Sequence, residues 1–237
     1  MLTIEHLTKC YGGDVKAVDD LSLTVMPGDI YGFIGHNGAG KTTTLRSVAG
    51  ILSFDSGKIT INGKSIADAP IECKQQMAYI PDNPDLYEHL TGIQYLNFVA
   101  DIYGVSAADR DARIQRYADA LEMTPRLNDL IGSCSHGMKQ KIALISALIH
   151  EPKLLLLDEP FVGLDPKAAF TLKTIMSELC ASGSAIFFST HVLEVAEKIC
   201  NKIAIIKNGK LIAAGRKEKG KSGRGRGKLV LELAGQR

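Results

Sequence analysis

The sequence predicts an α/β fold with a mostly parallel sheet, an antiparallel β-subdomain near the N-terminus and an inserted helical subdomain. Three observations carry this. The first third alternates short β-like runs with turn signals, the stretch from about Asp85 to His150 switches to helical spacing, and apolar strands separated by helices follow it. At 237 residues the chain is one large domain or a core with one insertion. That length buries roughly three quarters of the unfolded surface without disulfide or metal staples.

The elements follow in order. LTIEHLTK, LSLTV and GKITING alternate apolar and polar residues and are bounded by Pro27-Gly28 and Asn62-Gly63, which predicts antiparallel strands and hairpins. Ile30 to Ile34 reads as a buried strand that runs into a glycine-rich loop and a helix from Lys41 to Ala49. YLNFVADIYGV and RIQRYADALEM carry apolar residues at helical spacing with charged residues between them. Strand KLLLLD, helix KAAFTLKTIMSELC, strand SAIFFST, helix HVLEVAEKIC and strand KIAIIKNG complete the pattern, which suits a parallel sheet covered on both faces. The expected division is an α/β core of residues 1–84 and 151–214, a helical subdomain of 85–150, and a tail of 215–237.

Composition excludes several classes. With 45% hydrophobic residues, 23% charged and a net charge of +2, the chain is neither disordered throughout nor a strongly acidic or basic binder. Five cysteines, an odd number without a CxxC pair, argue against a secreted disulfide framework or a zinc ribbon and fit a reducing compartment. MLTIEHLTKC lacks a signal-peptide pattern, and LLLL and IALI break far short of the about 20 apolar residues a spanning helix needs. A soluble chain is expected. The exception to the globular texture is GRKEKGKSGRGRGK (215–228), whose seven basic residues and one acid give +6 and leave −4 for the rest. Such a stretch is expected to stay outside the core as a solvated terminus; attraction to anionic lipid or nucleic-acid phosphate is the functional alternative.

Two motifs carry chemistry. Gly35-His36-Asn37-Gly38-Ala39-Gly40-Lys41-Thr42 matches G-x-x-x-x-G-K-[ST], a loop whose backbone N–H groups cradle phosphates and whose following helix favours an anion at its N-terminus. Asn37, Gly38, Ala39, Gly40, Lys41, Thr42 and Thr43 are therefore expected at a nucleotide, with Lys41 on the β- and γ-phosphates and the Thr42 hydroxyl on magnesium. The core is accordingly that of a P-loop NTPase. The second motif is the buried strand Leu154–Leu157 ending in Asp158-Glu159-Pro160: Asp158 is placed to hold magnesium and Glu159 to act as a general base toward water.

With the motifs between and after these, residues 1 to about 214 resemble the nucleotide-binding subunit of ATP-binding cassette (ABC) transporters. Cys134-Ser135-His136-Gly137-Met138 stands where that family has LSGGQ, with Ser135 and Gly137 retained and Cys134, His136 and Met138 departing. The resemblance implies that Ser135 and Gly137 face a γ-phosphate held by an opposite subunit; Ser135 serves equally as a plain helix cap. It further implies that Tyr11 stacks on adenine with Val18 against the ribose, that Gly163-Leu164-Asp165 is the D-loop, and that His191 is the switch histidine on the γ-phosphate. Tyr79-Ile80-Pro81-Asp82 occupies the Q-loop, with Asp82 in place of glutamine. Either Asp82 swings in as a direct or water-mediated magnesium ligand, or it stays out and the loop senses the membrane partner.

The resemblance implies an ATPase with ATP and Mg2+ as its nucleotide and metal, dimerising head to tail as a homodimer or paired cassette. Its partners would be membrane-spanning subunits that are separate chains, with the cassette peripheral on the cytoplasmic face of the cell membrane. The acid in the Q-loop followed by SHGMKQK resembles a bacterial branch associated with export. A cassette ATPase acting on ribosomes or DNA is the first rival, but those usually carry two cassettes or a long coiled coil, and nucleic acid is not expected. A nucleotide sensor without turnover is the second, opposed by the intact Lys41, Asp158, Glu159 and His191.

Overall fold

The computed structural model describes residues 1–13, 15–218 and 228–233. The chain starts with β1 (Leu2–Tyr11) and β2 (Val15–Val25), then β3 (Ile30–Ile34), α1 (Lys41–Val48), β4 (Ser56–Ile61), β5 (Lys64–Ser65), α2 (Pro70–Lys74) and β6 (Met77–Ile80). Helices α3 (Gly92–Ile102), α4 (Ala107–Ala120) and α5 (His136–Leu148) follow without an intervening strand. The α/β alternation resumes with β7 (Leu154–Asp158), α6 (Pro166–Ala181), β8 (Ala185–Thr190), α7 (Leu193–Ile199), β9 (Lys202–Lys207), β10 (Lys210–Glu218) and β11 (Lys228–Leu233).

Two sheets result. The smaller is antiparallel in the order β2-β1-β4-β5, and the larger runs β11-β10-β9-β3-β8-β7-β6. Its β9-β3-β8-β7-β6 stretch is parallel, as expected for strands joined through helices, while β10 and β11 add antiparallel to the edge. Asn62-Gly63 forms the expected tight hairpin turn between β4 and β5, both residues having positive φ (50° and 81°). Pro27-Gly28 does not: β2 and β3 belong to different sheets, so this turn is a crossover between layers.

The central strands are buried on both faces. Leu155, Leu157, Ile186 and Phe188 join a core with α3, α4, α5 and α6, while Leu154, Leu156, Ala185 and Phe187 join a second core with α1 and the small sheet. Local chemistry sets the helix starts. Thr91 and Gln94 form a capping box at α3, and Ser106, Ser135 and Asp165 cap α4, α5 and α6 through side-chain oxygens.

The C-terminal expectation needs correction. Residues 215–218 are not tail but the end of β10, where Gly215 and Arg216 pair with Ile203 and Lys202 of β9. Lys228 to Leu233 return to pair antiparallel with β10. Glycine and charged residues are tolerated there because Gly215, Arg216 and Lys217 are exposed or only partly buried while β9 and β11 satisfy the backbone on both flanks. Residues 219–227, which hold the rest of the basic run, lie outside the described residues.

Candidate functional site

The loop after β3 and the N-terminus of α1 form one wall of a cavity of about 430 Å³, lined by Ala17, Asn37, Gly38, Gly40, Lys41, Thr42, Thr43, Asp82, Asp158 and Glu159. Gly40 is required here: it has φ 108°, and a Cβ on it would lie 2.3 Å from the Ala17 carbonyl oxygen. It also serves as the left-handed N-cap of α1 without a side chain of its own, so nothing from that residue competes for the first-turn N–H groups. Ala39, whose side chain is buried, belongs to the loop through its backbone only.

Lys41 is 5% exposed and points back into the loop, donating to the carbonyls of Gly35 (2.7 Å) and His36 (3.3 Å). Its Nζ lies 3.4 Å from Glu159 Oε1. The Thr42 hydroxyl donates to Asp158 Oδ2 at 2.6 Å, so the two residues expected at magnesium meet directly. Asp158 ends β7 at 1% exposure, and its Oδ1 accepts from the Ser189 hydroxyl of β8. Both carboxylate oxygens are thus held.

Glu159 leaves the strand with φ 49°, a left-handed conformation that a non-glycine residue adopts at a cost. His191 Nδ1 stands 3.1 Å from the same Oε1 that faces Lys41. Neither contact has hydrogen-bond geometry, so this buried oxygen is left with ionic neighbours and no donor aimed at it.

Asp82 lines the same cavity as Asp158 and Glu159, and its Oδ1 accepts the Asn83 N–H at 2.8 Å. Ser135 and Gly137 do not join the cavity. They sit at the start of α5, where exposed Ser135 accepts from Met138 N–H at 3.3 Å and Gly137 packs on Gly163, whose carbonyl would be 2.7 Å from an added Cβ. Asp165 caps α6 and pairs with Lys141 of α5 at 2.9 Å, tying these two segments together.

Tyr11, at the end of β1, is 47% exposed, carries Lys9 Nζ 5.6 Å from its ring centroid, and lies outside the cavity lining. Val18 is fully buried in the core beneath the small sheet, and Ala17 is the residue of that strand that lines the cavity. Ser189 is the residue that motif reading missed, and only the pairing of β7 with β8 reveals it.

Comparison with known proteins decides the family. The family model described as ABC transporter matches residues 18–162, well over half the chain. The chain belongs to the ABC transporter family. It is an ATPase of the cassette type. The ABC-type transporter ATP-binding protein EcsA of Bacillus subtilis is 38% identical over 215 residues, covering 91% of this chain and 87% of that protein. The linearmycin resistance ATP-binding protein LnrL of the same organism is 34% identical, covering 92% and 70%. A solved ATP-binding subunit of an ABC transporter superposes with TM-score 0.87 at 38% identity, covering 91% of this chain and 90% of that one. A dimeric cassette in a post-hydrolysis state with ADP and phosphate shares the fold, with TM-score 0.82 at 21% identity over 91% and 98% of the chains. Among the described residues of this ABC subunit no helix is long and apolar enough to cross a membrane.

Proposed function

We propose that this ABC subunit binds magnesium-ATP and hydrolyses it where two copies, or this chain and a paired cassette, close head to tail. Turnover drives transport, in the outward direction, through membrane-spanning subunits that are separate chains, with the cassette held at the cytoplasmic face of the membrane. The observation that carries this reading is the meeting of Lys41, Thr42, Asp158 and Glu159 around one cavity, with His191 against Glu159, while Ser135 stays exposed outside it. A second cassette would supply Ser135 and Gly137 from across the interface. The outward direction is supported by the likeness to a relative named for linearmycin resistance.

The residues present fit magnesium. Thr42 and Asp158 offer adjacent hard oxygens, suited to an ion that takes one or two protein ligands and fills its shell with phosphate oxygens and water. Bound there, magnesium would neutralise phosphate charge. The chain's own groups do the rest. The loop from Asn37 to Thr43 wraps the phosphates with N–H groups, and Lys41 leaves its carbonyl partners to pair with them. Glu159 accepts a proton from the attacking water, and His191 bridges Glu159 to the γ-phosphate. Tyr11 offers its face to the adenine.

Two measurements test the reading together. Tagged chain recovered from membranes should carry a polytopic membrane protein, and the complex should release phosphate from ATP with magnesium. Recovery with ribosomes or DNA instead would overturn the transport role; nucleotide binding without phosphate release would overturn the enzyme.

A further inference from the structure

We propose that Ser189 is a positioning residue that sets both acidic groups of the site, an inference resting on the roles given above to Asp158 and Glu159. β7 and β8 are parallel neighbours whose register places Asp158 directly beside Ser189. Paired residues on adjacent strands send their side chains to the same face of a sheet, so the hydroxyl meets the carboxylate without any loop having to fold around it. Ser189 is fully buried.

One hydroxyl serves two partners. Its O–H donates to Asp158 Oδ1, and its oxygen accepts the Glu159 N–H at 3.1 Å. With Thr42 on the other oxygen at 2.6 Å, the plane of the Asp158 carboxylate is fixed and Oδ2 is turned toward the phosphate loop. The second bond acts on the backbone. Glu159 sits at φ 49°, a conformation that persists only where surroundings hold it, and the Ser189 oxygen anchors the N–H of that residue. Alanine at 189 would leave Asp158 free to rotate and would strand a donor at the turn that aims Glu159.

The sequence context supports the assignment. Ser189 precedes His191 by two residues on the same strand end, so β8 supplies both the group that aims the acids and the imidazole 3.1 Å from Glu159. A serine that merely filled space would be replaceable by alanine at this volume. Ser189 instead spends its hydrogen and a lone pair on the two groups on which the chemistry depends.

The test compares Ser189→Ala with the unsubstituted chain in binding of a fluorescent ATP analogue, titrated with magnesium and repeated in EDTA. The half-saturating magnesium concentration should rise about 10- to 100-fold, the usual cost of losing a partner that orients a metal ligand, with binding in EDTA unchanged. In turnover, kcat should fall while KM at saturating magnesium holds, and Ser189→Thr, which keeps a hydroxyl, should restore the magnesium dependence. Ser189→Cys, nearly isosteric and a weaker donor, serves if the alanine chain does not fold. A magnesium dependence unchanged in Ser189→Ala but lost in Asp158→Asn would overturn the role of Ser189 alone. One unchanged in both would show that Asp158 does not hold the metal, and both assignments would fall.

Discussion

Glu159→Gln separates binding from chemistry, because the structure assigns opposite signs to the two effects. The amide keeps the shape of the side chain and removes one negative charge 3.4 Å from Lys41 and 3.1 Å from His191. Removing a general base costs about 10²- to 10⁴-fold in rate, or about 3–5 kcal/mol in the barrier. Binding should move the other way. Glu159 competes with the phosphates of ATP for Lys41, and because both side chains are largely buried, removing the Glu159 charge should tighten ATP binding. Uncleaved ATP then accumulates between two cassettes, and the variant should sediment as a dimer with ATP and magnesium. Phosphate release, a fluorescent ATP titration and sedimentation at one protein concentration give the three readings. Turnover within tenfold of the unsubstituted chain, weakened ATP binding, or a variant that stays monomeric would each refute part of the reasoning: the base, the competition for Lys41, or the closed pair.

Lys41→Ala should lose ATP binding and turnover with an unchanged circular-dichroism spectrum, since no other cation among the described residues lines the cavity; near-normal phosphate release would remove the site. Asp82→Asn takes one of three carboxylates from the cavity wall, and should tighten ATP binding up to about fivefold at low salt, less so at high salt; a loss of turnover partly rescued by manganese would mark Asp82 as a metal ligand instead. Truncation after residue 227 strips β11 and bares the edge of β10, so the thermal midpoint should fall and association rise, as light scattering would record; an unchanged melt would show that β11 adds nothing. Stability should also depend on pH through His150, stacked on Tyr103 and donating toward the Met77 carbonyl, whose pKa burial pushes down to about 4. The unfolded chain binds this proton from about pH 6.5 and the folded chain only near 4, so stability should fall, by at most about 3 kcal/mol, as pH drops through that window. Urea unfolding at pH 7 and 5 checks this, and His150→Gln should flatten the slope.

What the sequence showed was what is local. The phosphate loop, the acids ending β7 and the Ser135 cap are short runs whose chemistry is written in consecutive residues, and each stands where those runs put it. That Val18 is buried while Ala17 lines the cavity has a reason that pattern cannot supply. The pairing of β1 with β2 shifts register between Leu7 and Lys9 and again between Lys9 and Cys10, which changes the face that each residue of β2 presents. Ser189 was hidden because a strand's neighbour is a property of the sheet, not of the strand. The Gly-rich basic run misled differently: composition argues against a core, but its first residues in β10 are exposed or only partly buried and need only the backbone pairing that β9 and β11 supply. The left-handed Glu159 has no sequence signature, since glutamate is not a residue that asks for that conformation.

The alternation of β7 and β8 between the two cores has a consequence for how the molecule opens. Each strand gives every second side chain to the helical side and the others to the side carrying α1, so neither half can come away without exposing both strands. The amides of Leu155 to Leu157 and Ile186 to Phe188 therefore belong to the last unit to exchange with solvent, opening only when the whole chain unfolds. Helices α3 and α4, which bury only the faces carrying Leu96 and Ala100 and carrying Ile114, Tyr117 and Ala118, can breathe on a faster clock while α5 and the strand that ends in Asp158 stay shut.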